Sequence, residues 1–161
     1  MFLIALEKLF EELTRCKEDD QQRNWMLYED EGRISQLLTH VCDRLQNAPN
    51  SASLHVLKRF KYFYVTSLIE YFQMEVRWSI RRLLIEAFLL MCYMDANIIE
   101  IMLSSVLPLE LVQDIYQTSQ IKKDHVSINI ESFSLYFMKR KFFPHFALLL
   151  FFYYYLYNSG S

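Results

Sequence analysis

Two glycines and three prolines in 161 residues constrain this chain more than any motif does. Together they make up about 3% of the sequence, where roughly 12% is usual. Tight turns draw on glycine for left-handed backbone and on proline for a fixed φ. A chain this poor in both cannot supply the turns of a many-stranded sandwich. Nor can it build a phosphate-cradling loop. Gly32 and Gly160 stand alone, which excludes a P-loop, a dinucleotide fingerprint and a GxSxG nucleophile elbow. The length suits one domain or part of a larger one. With 53% hydrophobic residues, 22% charged and a formal net charge of −2, the chain is neither disordered nor basic like a nucleic-acid binder.

Helical periodicity fills the space that strands cannot. Ile34, Leu37, Leu38, Val41 and Leu45 fall at i, i+3, i+4, i+7 and i+11, one stripe of a 3.6-residue period. Asn47-Ala48-Pro49-Asn50 ends that helix in a turn. Ser51 or Ser53 is expected to cap a short helix carrying Leu54 and Leu57, followed by a basic, aromatic connector from Lys58 to Tyr64. Val65, Leu68, Ile69 and Phe72 form the next stripe. The longest expected stripe runs Val76, Ile80, Leu83, Leu84, Ala87, Phe88, Met91, with Arg77, Arg81, Arg82 and Glu86 off that face. Asp95 reads as the N-cap of a helix through Ile98, Ile99 and Met102, and Pro108 as a first-turn proline opening a helix through Leu111, Val112 and Ile115. The expectation is an all-α fold. Ile34-Ser35-Gln36-Leu37-Leu38 and Ile80-Arg81-Arg82-Leu83-Leu84 lie 46 residues apart, within the 40–47 of armadillo and HEAT repeats, which favours an α-solenoid over a compact bundle.

Residues that carry chemistry are scattered. Cys16, Cys42 and Cys92 are an odd number at wide spacing, neither a disulfide framework nor a zinc site, and read as small apolar filler in a reducing compartment. His40, His55, His125 and His145 have no i, i+4 partner. Glu29-Asp30-Glu31 before a helical stripe reads as a solvated helix start, where acids suit the positive end of the dipole, and not as a paired-carboxylate site. The opening run Met1 to Leu6 lacks a basic flank and is cut by Glu7. With Leu9, Phe10 and Leu13 it reads as an amphipathic helix, not a signal peptide. No enzyme, metal or cofactor is expected, and the cytoplasm is the expected compartment.

Three blocks are similar to a known family. Gln21-Gln22-Arg23-Asn24-Trp25 running into Glu29-Asp30-Glu31-Gly32, then Tyr71-Phe72-Gln73-Met74-Glu75, then Ser104-Ser105-Val106-Leu107-Pro108-Leu109-Glu110-Leu111 resemble the leucine-rich armadillo-type domain of the Nck-interacting Src-homology-3 adaptor family, whose yeast relatives are the Dip and Ldb proteins. The blocks keep their order, and the resemblance runs from near the N-terminus to about Gln117. It implies an armadillo-like α-solenoid that binds the actin-related protein 2/3 complex and starts actin filaments at the cell cortex and endocytic sites, without catalysis or cofactor. Animal members also carry an N-terminal Src-homology-3 domain and proline-rich stretches, which these 161 residues do not contain. The family domain continues for several helices beyond the position of Gln117. No short motif fixes the contact residues. Gln73, Glu75, Arg77 and Arg81 are chosen as an exposed, partner-binding face.

The composition changes at the same place. Residues 1–117 carry 12 Lys/Arg against 17 Asp/Glu, net −5, and residues 118–161 carry 5 against 2, net +3, with 12 of the 26 aromatics. The expected division is therefore residues 1–117, the N-terminal part of an armadillo-like leucine-rich domain, and residues 118–161, a basic then aromatic tail. Lys139-Arg140-Lys141 precedes the sixteen residues 142–157, nine of them aromatic. Sixteen falls just short of a bilayer span, although a basic flank beside an aromatic run is a membrane-proximal pattern. Three readings stay open for this tail: a membrane anchor, a helix docked on the end of the solenoid, or a segment without an evolved role. An unpartnered run of Phe and Tyr is otherwise an aggregation hazard.

Overall fold

The computed structural model describes residues 2–22, 30–111 and 113–114. Among them every regular element is a helix, and no strand occurs. The helices are α1 (Phe2–Gln22), α2 (Glu31–Asn47), α3 (Asn50–Leu57), α4 (Phe63–Met74), α5 (Trp78–Cys92) and α6 (Ala96–Ser104). A seventh, α7, comprises the helical residues 107–111 and 113–114. The tail readings and the block around Trp25 lie outside the described residues.

The apolar stripes turn inward as their spacing demands. Leu6, Phe10 and Leu13 of α1 meet Ile34, Leu37, Leu38, Val41 and Leu45 of α2, all buried in one continuous core. α1 also lies against α3 and α4, while α2 packs on α5, and α6 bridges α4 and α5. Aromatic rings add directional contacts. Phe10 stacks on Tyr64 with centroids 5.0 Å apart, and Phe72 meets Phe88 edge to face at 6.0 Å.

Several expected boundaries hold, and others move for identifiable reasons. α2 ends at Asn47 before Pro49, as the turn residues require. Asp95 caps α6, its side chain accepting from the Asn97 backbone N–H. Ser51 and Ser53 do not cap α3. Pro49 opens it at φ −57°, its carbonyl accepting from the N–H groups of Ala52 (2.9 Å) and Ser53 (3.2 Å). Ser53 is instead buried inside the helix, its Oγ without a hydrogen-bond partner among the described residues. Val76 is not the first residue of the α5 stripe. Glu75 and Arg77 are both extended, so the chain bends between α4 and α5 and leaves Val76 73% exposed. The longest helix is α1, with 21 residues, against 15 for α5.

The expected connector after Lys58 is shorter and more constrained than its composition suggests. Phe60, Lys61 and Tyr62 adopt positive φ of 49°, 56° and 62° in succession. Each such residue without glycine costs about 1–2 kcal/mol. Neighbouring contacts hold the turn in place. Tyr62 donates its hydroxyl to Asp95 Oδ2 at 2.8 Å, Lys58 reaches the same oxygen at 3.3 Å, and Arg59 pairs with Glu7. The Asn97 backbone N–H, then the Tyr62 hydroxyl, hold the Asp95 carboxyl below its usual pKa.

Exposed Lys61, at the centre of this run, makes a clean test of the strain. Lys61→Gly is expected to raise stability by about 0.5–1 kcal/mol, and Lys61→Val to lower it. Urea denaturation of both variants measures this as shifts of the midpoint in opposite directions.

Candidate functional site

The four residues expected to form an exposed face divide sharply. Gln73 is exposed on α4. Glu75, Arg77 and Arg81 are buried, at 4%, 8% and 9% exposure, so the expectation that they face solvent is corrected for all three. Arg82 does lie exposed and Glu86 is half-buried. The cause is the bend at residues 75–77. It turns the chain between the end of α4 and the start of α5, where Glu75, Arg77 and Arg81 are buried together.

Glu75 fills the gap between these helix ends. Its Oε1 accepts from the Arg77 backbone N–H at 2.8 Å and from Arg77 Nε at 2.9 Å, and its Oε2 accepts from Arg77 Nη2 at 2.8 Å. A carboxylate bound on both oxygens by one guanidinium is the strongest form of such a pair. It also places negative charge at the N-terminus of α5, where the helix dipole favours it.

Arg81 completes the junction from the first turn of α5. Its Nη1 donates to the Glu75 carbonyl at 2.8 Å and to the Phe72 carbonyl at 3.3 Å. These are carbonyls at the end of α4, which an α-helix leaves without internal partners. Its Nη2 donates to Asp114 Oδ2 at 2.6 Å and lies 3.7 Å from Glu110 Oε2. The guanidinium sits 4.0 Å from the centroid of the Phe72 ring, a cation–π contact strengthened by desolvation. Its Nε is buried without a hydrogen-bond partner among the described residues. One arginine thus ties α4, α5 and α7 together. Chemically this is a clamp.

Two of the three resemblance blocks, residues 71–75 and 104–111, lie at or beside this junction. Tyr71, Phe72 and Glu75 are buried at the end of α4. In the third block, Ser105 Oγ accepts from the Leu107 backbone N–H at 3.1 Å, and Leu107 and Leu111 are buried. Sequence reasoning missed Glu110 and Asp114 as partners of Arg81. A signal was present: Leu84, Ile85, Phe88 and Cys92 follow Arg81 at i+3, i+4, i+7 and i+11. That spacing puts Arg81 within a second apolar stripe.

Elsewhere the described residues offer little chemistry. Cys16, Cys42 and Cys92 are buried in the core and form no disulfide among the described residues. Burial pushes Cys42 from 9.0 up to about 12, with the charges of Glu86 and Asp43 adding to it, and burial alone takes Cys92 to about 12. His40 and His55 are exposed. Among the described residues no group of three or more His, Cys, Asp or Glu is placed to hold a metal ion, and no helix is long and apolar enough to cross a membrane. An open cleft of about 590 Å³ lies between α1 and the start of α4, lined by Glu11, Thr14, Arg15, Phe60, Phe63 and Tyr64. No known protein-family model matches the sequence.

Two measurements check this description. Glu75→Ala and Arg81→Ala are each expected to cost about 3–5 kcal/mol of unfolding free energy, since each strands buried charge. Gln73→Ala is expected to stay within about 0.5 kcal/mol. Equal effects at all three positions in denaturant titration would contradict the clamp. The thiols give a pH signature as well. A folded pKa raised above the unfolded value leaves their contribution intact below about pH 9. It then falls as pH rises towards 12, because only the unfolded chain ionises readily. At pH 8, Cys42 and Cys92 should be alkylated only as fast as the protein opens. Peptide mass spectrometry over a time course would show this against a denatured control.

Proposed function

We propose that this chain is a protein-binding module whose helices stack as armadillo-like repeats, and that its partner is the actin-related protein 2/3 complex. One observation supports the stacking above others. α1 packs on α4 and α2 packs on α5, each pair three elements apart in the chain. Armadillo repeats of three helices bring equivalent helices of successive units together with that offset. The 46-residue spacing of Ile34 and Ile80 agrees with it, and both residues are fully buried. The expected partner follows from the three ordered blocks of resemblance.

The proposed activity is recognition without catalysis or cofactor. A rigid helical surface favours one arrangement of a multi-subunit partner by binding that arrangement more tightly than the alternatives. In this reading the chain acts in the cytoplasm at cortical and endocytic actin. The clamp at Glu75, Arg77 and Arg81 holds the helices in register, leaving recognition to exposed side chains such as Gln73 and Arg82.

Incubating the full 161-residue chain with purified actin-related protein 2/3 complex tests the partner directly. Retention on the immobilised complex at roughly 10 µM is expected, together with a shorter lag in actin assembly without preformed filaments. No retention would overturn this partner and leave a helical scaffold without an actin role.

A further inference from the structure

The outward side of α1 carries Ile4, Lys8, Glu11, Arg15 and Glu18. Steps of four, three, four and three residues place them on one stripe, opposite the buried Leu6, Phe10 and Leu13. All five are exposed. Other charges on this helix are engaged across the fold: Glu7 with Arg59, Glu12 with Arg33 at 2.6 Å, and Lys17 with Glu70 at 2.7 Å. Lys8, Glu11, Arg15 and Glu18 form no salt bridge with any described residue. Along the stripe their signs alternate: plus, minus, plus, minus.

That alternation is self-complementary. When two copies of the helix lie antiparallel, with the midpoint between Glu11 and Arg15 on a two-fold axis, Lys8 faces Glu18 of the copy and Glu11 faces Arg15 of the copy. The axis then repeats both pairs. All four juxtapositions join opposite charges. A parallel arrangement in register would set like against like at every position. A uniformly acidic or basic partner would meet two repulsive charges whichever way it approached.

Exposed ion pairs contribute little alone, but this stripe borders apolar surface. Glu11 and Arg15 stand at the lip of the cleft whose other walls include Phe60 and Phe63. Phe60 is 72% exposed, fixed there by the left-handed turn, and Phe63 is 44% exposed. The same two-fold carries the aromatic pairs of both copies to one side of the paired helices. Each pair can then cover the other's cleft.

We propose that the outer face of α1 is a homodimer interface, formed by antiparallel pairing of this helix about a two-fold axis between Glu11 and Arg15. Charge alternation sets its register and direction, and the Phe60–Phe63 surface beside it supplies apolar burial. The inference is independent of which larger partner the module binds.

Light scattering and sedimentation of the full chain at low salt should give twice the monomer mass of 19.5 kDa. Glu11→Arg alone, or Arg15→Glu alone, turns two attractive pairs repulsive. Each should raise the dimer Kd by about tenfold or more, with the helical circular dichroism and melting temperature of the monomer unchanged. The double variant E11R/R15E should dimerise like the parent. Mixing the two single variants should produce a heterodimer, since every pair is again complementary. Added salt should weaken the parent dimer as screening grows. A monomer at every concentration overturns the proposal. So does self-association indifferent to the single reversals, or failure of the two variants to associate on mixing.

Discussion

Arg81 brings a positive charge to a place where four oxygens converge: the carbonyls of Phe72 and Glu75 and the carboxylates of Glu110 and Asp114. The junction of α4, α5 and α7 depends on that convergence. A helix ending inside a protein leaves carbonyl groups that must find donors. The sharp bend at residues 75–77 would bury them without any. The guanidinium supplies several donors from one planar group, and its face still packs on Phe72. A lysine could satisfy part of this geometry, but not the stacked and forked contacts together. Glu75 makes the complementary provision for the start of α5. The two residues give the polar groups where α4 ends and α5 begins their hydrogen-bond partners.

The all-helical character was legible because it rests on short-range pattern. Scarce glycine and proline remove most turns, and spacings of three and four residues give each helix an inward face. All five expected positions of the α2 stripe are buried, with Cys42 beside them, and Asp95 caps α6, since both features depend only on neighbours in the chain. What could not be read were contacts whose partners lie far along the sequence. Arg77 and Arg81 looked like a solvated face because charge on a helix usually is one. Their burial follows from the bend at Glu75 and from carboxylates 29 and 33 residues beyond Arg81, which no local rule connects. The three left-handed residues were equally hidden. Nothing in Lys-Arg-Phe-Lys-Tyr-Phe announces positive φ. The contacts that hold it, such as the Tyr62–Asp95 hydrogen bond, join residues far apart in the chain.

The proposed site was the least legible part. Of the expected recognition face only Gln73 is exposed, while Glu75, Arg77 and Arg81 are internal joinery. Residues that hold helices together are constrained by many neighbours at once, whereas exposed contact residues answer only to a partner. The charge alternation along α1 had been visible from the first line of sequence. It acquires meaning only once Glu7, Glu12 and Lys17 are seen to be engaged elsewhere.

The pairing of α2 with α5 also bears on how the chain is made. The inward stripe of α2 is complete by Leu45, yet its counterpart on α5 begins with Ile80 and continues to Cys92. A ribosome adding about 5–20 residues per second needs roughly 2–9 s to cover that distance. For those seconds the most apolar face of α2 is covered only by what precedes it, α1, and by the short α3. Nascent chains in this interval are natural clients for chaperones that shield apolar helices. Slowing synthesis between Leu57 and Ile80 would lengthen that exposure without altering any contact of the finished protein.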